Sequence, residues 1–296
     1  MATNDLLATI ERVYEEMTPQ LRKAARFVTQ NPTEVALLPL RRFAERAGVS
    51  PTTLIRLAVS LGYAGYEDFR EPFRDSLRPG SERYSGAATQ LVERRRHHGF
   101  DAVFGNTGSV LSAQIAELFR STSADELAAA GKKLASAKTI YVLGLRSCYA
   151  AAFYFCYAAG TFRDNVRLVD VRQGMQFDEV FDVGPKDAIL AISFNPYPLD
   201  TVRSVNYGEE SGATIVAITD NKLSPIAERA QHAFVVPNVN SSFYTSLVPT
   251  MALLEALISF LLMDGGKKNV EKIKRRFARL EQRGVYWNDR STSKGT

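Results

Sequence analysis

The chain has 296 residues, 45% hydrophobic and 23% charged, with a formal net charge of +5. That is an ordinary globular composition, long enough for about two domains. Its two cysteines, Cys148 and Cys156, share one apolar helical pattern, which excludes a metal spacing and reads as two reduced, buried thiols.

No basic region followed by an apolar stretch opens the chain. The run "MALLEALISFLL" is about twelve residues long and holds Glu255, short of the roughly 20 a membrane span needs. The expectation is a cytoplasmic protein with no membrane partner. The basic excess is uneven: residues 265–296 hold ten Lys/Arg against three Asp/Glu, and residues 1–80 hold eleven against ten. Nucleic-acid binding by the first segment therefore has to rest on geometry, not on bulk charge.

The first eighty residues show a period of 3.6. Leu6, Leu7, Ile10, Val13, Tyr14 and Met17 form one apolar face. Thr18 and Pro19 then start a second helix, which stops at Asn31-Pro32. A short helix is expected around Glu34–Leu38, and the next, "PLRRFAERAG", ends at Gly48 as a left-handed terminator. Ser50 caps a new helix with Pro51 at its first position, running through Leu54, Leu57, Ala58 and Leu61 to Gly62. Two helices joined by so short a Gly-containing turn make a helix-turn-helix. Thr52, Thr53 and Arg56 face outward near the start of the second helix, and the Ser50 end presents backbone N–H groups to a phosphate. The same pattern also fits a plain helical corner with solvated polar residues.

Residues 72–100 read as a transition in which "ERRRHHG" is a basic, solvated helix end, with His97 and His98 lacking any metal spacing. Helices follow around 107–120 and 123–136, the latter with a capping box from Ser123 and Glu126. From residue 139 the texture changes. "TIYVLGL", "NVRLVDV", "AILAISF", "TIVAITD" and "HAFVVPN" alternate with helical patterns at 147–160, 199–211, 225–231 and 243–263. That alternation predicts a parallel five-stranded sheet covered on both faces, with ligands bound beyond the strand ends. A dinucleotide fingerprint is absent, because Arg146 and Tyr149 occupy its glycine positions, and no cofactor is expected. Arg146, Ser147, Ser193, Asn195 and Thr201 form the candidate oxyanion site, although Ser and Asn also cap and turn routinely.

Two stretches carry a family resemblance. "MTPQLRKAARFVTQNPTEVALLPLRRFAERAGVSPTTLIRLAVSLGYAGYEDFR" resembles the N-terminal domain of RpiR/MurR bacterial transcriptional regulators, and residues 136–263 resemble the sugar isomerase (SIS) domain that follows it in that family. The resemblance implies an all-α helix-turn-helix domain over 1–79, helical linker segments over 80–135, an α/β three-layer SIS-like domain over 136–263, and a basic C-terminal helix and tail over 264–296. It implies a dimer, or a dimer of dimers, on a palindromic operator read by Ser50, Thr52, Thr53 and Arg56. Ser60 stands where family members often carry a basic residue.

In the family the serine loops hold the phosphate of a sugar phosphate. Here "SFNPYPLDT" stands where S-x-S-G-x-T is usual, with Asn195 for the second serine and Pro196 for the glycine. The implied effector is an anionic carbohydrate, a sugar phosphate or sugar acid. The alternative is a sugar-phosphate aldose–ketose isomerase, whose candidate bases are Asp170, Asp178, Glu179, Asp220 and His232. None has an assignable partner, so no catalytic residue is expected. The C-terminal helix carries Val270, Ile273, Phe277 and Leu280 on one stripe, opposite a basic face. It reads as docked rather than as the main DNA contact.

Overall fold

The computed structural model describes residues 6, 7, 9, 10, 13–77, 80–169, 180–238 and 242–287. It divides into two compact units, Met1–Val110 with Val239–Ser246, and Leu111–Asn238 with Leu247–Thr296.

In the first unit Leu6, Ile10 and Met17 are buried ahead of α1 (Pro19–Gln30). The Thr18 hydroxyl accepts a hydrogen bond from the Leu21 N–H at 3.5 Å. α2 (Pro32–Leu37) starts two residues earlier than expected, because Pro32 takes its first position. α3 (Leu40–Ala47) ends on Gly48 at φ 61. There the Val49 N–H donates to the Ala44 carbonyl at 3.0 Å and the Gly48 N–H to the Glu45 carbonyl at 3.1 Å, the paired bonds of a Schellman ending. α4 (Pro51–Ser60) begins at once, its Thr53 N–H bonded to the Ser50 hydroxyl at 3.2 Å. α5 (Tyr66–Leu77) completes the bundle.

Phe43, Leu54, Leu57, Phe69 and Phe73 are fully buried between these helices. Burial also pushes the Tyr66 hydroxyl up to about 12. Arg70 is buried too. Its Nε donates to the Val35 and Ala36 carbonyls at 3.1 and 3.2 Å, and its guanidinium pairs with Glu67 at 3.1 Å. It thus satisfies carbonyls that the end of α2 leaves without intrahelical partners.

α6 (Gly80–Ser121) is broken at Gly99 (φ 76, ψ 171). The sequence predicts a helix end at "ERRRHHG" and a helix around 107–120, not a run from residue 80. Its glycines at 86, 105 and 108 instead lie inside helix, and only Gly99 interrupts it.

In the second unit, α7 (Ala124–Ser136) starts with the Ser123 hydroxyl accepting from the Glu126 N–H at 3.4 Å. The sheet comprises β1 (Ile140–Gly144), β2 (Val166–Leu168), β3 (Ala188–Ile192), β4 (Thr214–Thr219) and β5 (His232–Val235). All pairings are parallel, in the order β2-β1-β3-β4-β5.

Successive strand residues go to opposite cores. Ile140, Val142, Leu190, Ile192, Val216 and Ile218 pack with α7, α8 (Tyr149–Ala159) and α10 (Val248–Asp264). Tyr141, Leu143, Ile189, Ala191, Ile215 and Ala217 pack with Val205 of α9 (Leu199–Glu210). The helix expected at 225–231 is a run of turns instead, pinned where the Ser224 hydroxyl accepts from the Ala227 N–H at 3.1 Å.

α11 (Gly266–Gln282) folds back from α10 at 107°. Its Asn269 amide donates to the Leu261 and Leu262 carbonyls at 3.0 and 3.3 Å, and Arg276 donates to the Gly160 carbonyl at 2.7 Å. Lys272 pairs with Asp164. The tail helix is therefore docked, as read from the sequence, through these polar bonds and through Ile273, which packs against the core, while Val270 and Phe277 of its apolar stripe stay exposed. No single described helix is long and apolar enough to cross a membrane.

The Gly48 corner sets the entry to α4. A Cβ at Gly48 would lie 2.7 Å from the Lys23 ammonium, which itself donates to the Gly48 carbonyl. Gly48→Ala should destabilise this unit by about 1–2 kcal/mol, read as a lowered unfolding midpoint, with Gly62→Ala as a second left-handed position in open space for comparison.

Candidate functional site

The helix-turn-helix surface is built by α4. Leu54, Leu57 and Ala58 are buried, while Ser50, Thr52 and Arg56 are exposed. Among the described residues no hydrogen bond or carboxylate engages Thr52 or Arg56. Thr53 is placed differently. It is half-buried, and its hydroxyl lies 2.9 Å from the Ser50 hydroxyl. It therefore reinforces the cap, and the outward polar groups of the first turn are Thr52 and Arg56.

The second candidate site lies where β1 and β3 diverge to helices on opposite faces of the sheet. Gly144 and Ile192 are paired at those strand ends, so the loops beyond them are adjacent, at the switch point where open α/β sheets bind ligands. A Cβ on Gly144 would lie 2.5 Å from the Cys148 carbonyl oxygen and 2.9 Å from the Ala152 Cβ. This glycine permits close strand–helix packing. Arg146 follows at φ 53, exposed and in the left-handed region that costs a side chain about 1–2 kcal/mol. Ser147 is half-buried. The Cys148 thiol meets both the Ser147 hydroxyl and the Phe194 backbone, joining the two loops, while burial pushes it up to about 11. Burial likewise takes Cys156 to about 12, so both thiols are protonated at neutral pH.

From the other side, Ser193 leaves β3 and Thr201 lies in the first turn of α9. The hydroxyls of Ser193, Thr201 and Ser204 are buried and meet no hydrogen-bond partner among the described residues. Buried hydroxyls beside a ligand crevice supply donors and acceptors for an oxyanion or a sugar hydroxyl. Asn195 is half-buried and precedes Pro196 in a cis peptide.

The organising group of this loop is Asp220, at the end of β4. Its buried carboxylate accepts from the Asn195 N–H at 3.1 Å, the Tyr197 hydroxyl at 2.7 Å, the Thr219 hydroxyl at 3.3 Å and the Asn238 amide at 3.5 Å. Sequence reasoning places Asp220 at the crevice but not its partnership with Tyr197. A tyrosine inside a proline-flanked loop is the only signal for it. The structure thus brings together the loops carrying Arg146, Ser147, Ser193, Asn195 and Thr201. His232 opens β5, at the opposite end of the sheet. Asp170, Asp178 and Glu179 lie outside the described residues.

These two sites on these two folds define a helix-turn-helix protein with an α/β ligand domain. Comparison with known proteins resolves the class further. The model of the helix-turn-helix domain of the rpiR family matches residues 4–80, and that of the SIS domain matches residues 133–260. The chain thus joins a helix-turn-helix domain of the rpiR family to a SIS domain.

An uncharacterized HTH-type transcriptional regulator of Caldanaerobacter subterraneus subsp. tengcongensis is 23% identical over 268 residues, covering 90% of this chain and 92% of its own. The sugar isomerase domain of an RpiR transcription factor from Sphaerobacter thermophilus superposes with a TM-score of 0.55 at 18% identity, over 57% of this chain and 94% of its own. The Vibrio vulnificus NanR protein complexed with ManNAc-6P superposes with a TM-score of 0.58 at 16% identity, over 96% of this chain and all of its own.

Removing the Asp220 carboxylate leaves several buried donors unsatisfied, each costing about 1–3 kcal/mol. Asp220→Ala should lower the unfolding midpoint well beyond Tyr197→Phe, which removes one hydroxyl. Equal midpoints for Asp220→Ala and the parent would show that the carboxylate does not organise the loop.

Proposed function

We propose that this chain regulates transcription by binding a roughly palindromic operator through α4, and that an anionic carbohydrate at the β1–β3 crevice alters that binding. The observation that carries this reading is the presence, in one chain, of an exposed, unengaged Arg56 on a helix-turn-helix and of buried, unpartnered hydroxyls on the two loops of the switch point. DNA is read by the 1–79 domain, by Ser50 and Thr52 at the helix start and Arg56 one turn on. Thr53 acts through the cap. The effector is held by the 136–263 domain. Ser147, Ser193 and Thr201 offer hydroxyls, the Asn195 side-chain amide offers a donor, and Arg146 supplies the charge.

A sugar phosphate is the leading effector class. The NanR likeness supports it at the level of fold, and the residues present support it chemically. Pro196 has no N–H, and that of Asn195 is taken by Asp220. The site therefore relies on side chains, above all Arg146.

Among the described residues, the two candidate bases support a sensor over an aldose–ketose isomerase. Asp220 accepts hydrogen bonds from donors of the chain itself, and His232 lies at the far end of the sheet. The protein acts in the cytoplasm as a homodimer or a dimer of dimers. An aromatic ladder on α8 supports self-association. Tyr149, Phe153 and Tyr157 stack at 6.5 and 6.3 Å, and the last two are 52% and 61% exposed, a surface suited to a second copy.

A genomic-fragment selection followed by footprinting tests the DNA half, and it should enrich one sequence. Arg56→Ala should weaken binding to that sequence by about 1–3 kcal/mol and relax its selectivity. Recovery of no enriched sequence, with or without sugar phosphates present, would end this reading.

Calorimetry tests the effector half. Loss of a charge-assisted bond worth about 1.5–3 kcal/mol means that Arg146→Ala should weaken sugar-phosphate binding at least tenfold, and Ser193→Ala should weaken it less. Parent-like affinity in both variants would place the ligand elsewhere.

A further inference from the structure

The exposed face of α4 is not wholly polar. Ile55 is 39% exposed and Val59 is 56% exposed, while Leu54, Leu57 and Ala58 of the same helix are fully buried. Thr52, Ile55, Arg56 and Val59 share one helix face through three- and four-residue spacings, with both aliphatic side chains on the same side of Arg56. A lone exposed aliphatic residue is ordinary. Two β-branched residues on one outward face of a ten-residue helix are less so, because unbranched polar residues form exposed helix better. Neither residue belongs to the core cluster of its unit.

What this face meets is set by its company. Arg56 is unengaged among the described residues, and the capped start of the helix lies one turn before Ile55. That is the face and the end a recognition helix turns toward base edges. In the major groove the one apolar feature of a base pair is the thymine 5-methyl group. We propose that Ile55 and Val59 read thymine methyl groups in each operator half-site and are specificity-determining residues alongside Arg56. The inference rests on the operator-binding function proposed above. Four residues of helix rise about 6 Å and bases repeat every 3.4 Å along a strand, so the two thymines lie within about two base pairs of each other.

The test uses the full chain and the operator recovered by selection. Deoxyuridine replaces thymine one position at a time, deleting only the methyl group. The parent protein should lose on the order of fourfold in affinity, the effect of one buried methyl, at two neighbouring positions in each half-site. Ile55→Ala should bind the thymine operator more weakly and be indifferent to uracil at one of those positions, and Val59→Ala at the other. Both residues are exposed, so both variants should keep the parent's unfolding midpoint, and Ile55→Leu should restore part of the preference for thymine.

Equal binding of thymine and uracil operators by the parent at every position would overturn the inference while leaving operator binding intact. So would an undiminished uracil penalty in both alanine variants. Failure of the selection to enrich any sequence would overturn the operator-binding function itself, and this inference with it.

Discussion

A parallel sheet packed on both faces leaves polar groups one place to go. Every residue of β1 and β3 is buried, and an unpartnered polar side chain within either strand would cost several kcal/mol. The polar side chains Ser193 and Asp220 therefore sit just past the strand ends. Ser193 is the first residue beyond β3, and Asp220 is the first beyond β4. The same confinement explains the work of Asp220. A carboxylate so buried has to be fully hydrogen-bonded, and the donors within reach belong to the loops of its neighbours. Satisfying one acid thereby orders the backbone of Asn195 and the ring of Tyr197.

The first unit reaches its functional surface by another route. No sheet directs its polar groups, and the direction of each helix is set where its predecessor stops. Gly48, Val49 and Ser50 complete the backbone bonds of α3 and begin those of α4 within three residues. With Leu54, Leu57 and Ala58 committed to the core, the remaining face of α4 points outward. What that face carries is free of any packing requirement, so its composition reports on function.

Much of this was legible because it is local. Thr18-Pro19, Asn31-Pro32, Gly48 and Ser50-Pro51 are start and stop signals that act on their own helix, and all four mark boundaries in the structure. The central strands β1, β3 and β4 were legible because a strand buried on both faces is mostly apolar, whereas β2 and β5, at the edges, are only partly buried. Distant pairings were not. Tyr197 and Asp220 are 23 residues apart, and no local pattern joins a tyrosine in one loop to an acid in another. The length of the helical run from 80 was missed because its glycines resemble breakers, yet helix continues through Gly86, Gly105 and Gly108. The helix expected at 225–231 failed for the converse reason. Ser224 is a good cap, but the segment is too short to propagate before β5 begins. On α4, the outward direction of Arg56 followed from periodicity, whereas the use of the Thr53 hydroxyl within the cap depended on a side-chain rotamer.

Arg146 is held at a positive φ that glycine adopts without strain and arginine does not. The most stable residue for that backbone and the most useful residue for an anion are therefore different. Selection for stability alone would draw the position toward glycine or asparagine, and the anion-holding role proposed for Arg146 would oppose that drift. The identity of residue 146 across related chains thus works as a gauge of demand. On the role proposed for Arg146, chains that hold an anion there should retain a cation, and chains that do not should be free to relax to glycine.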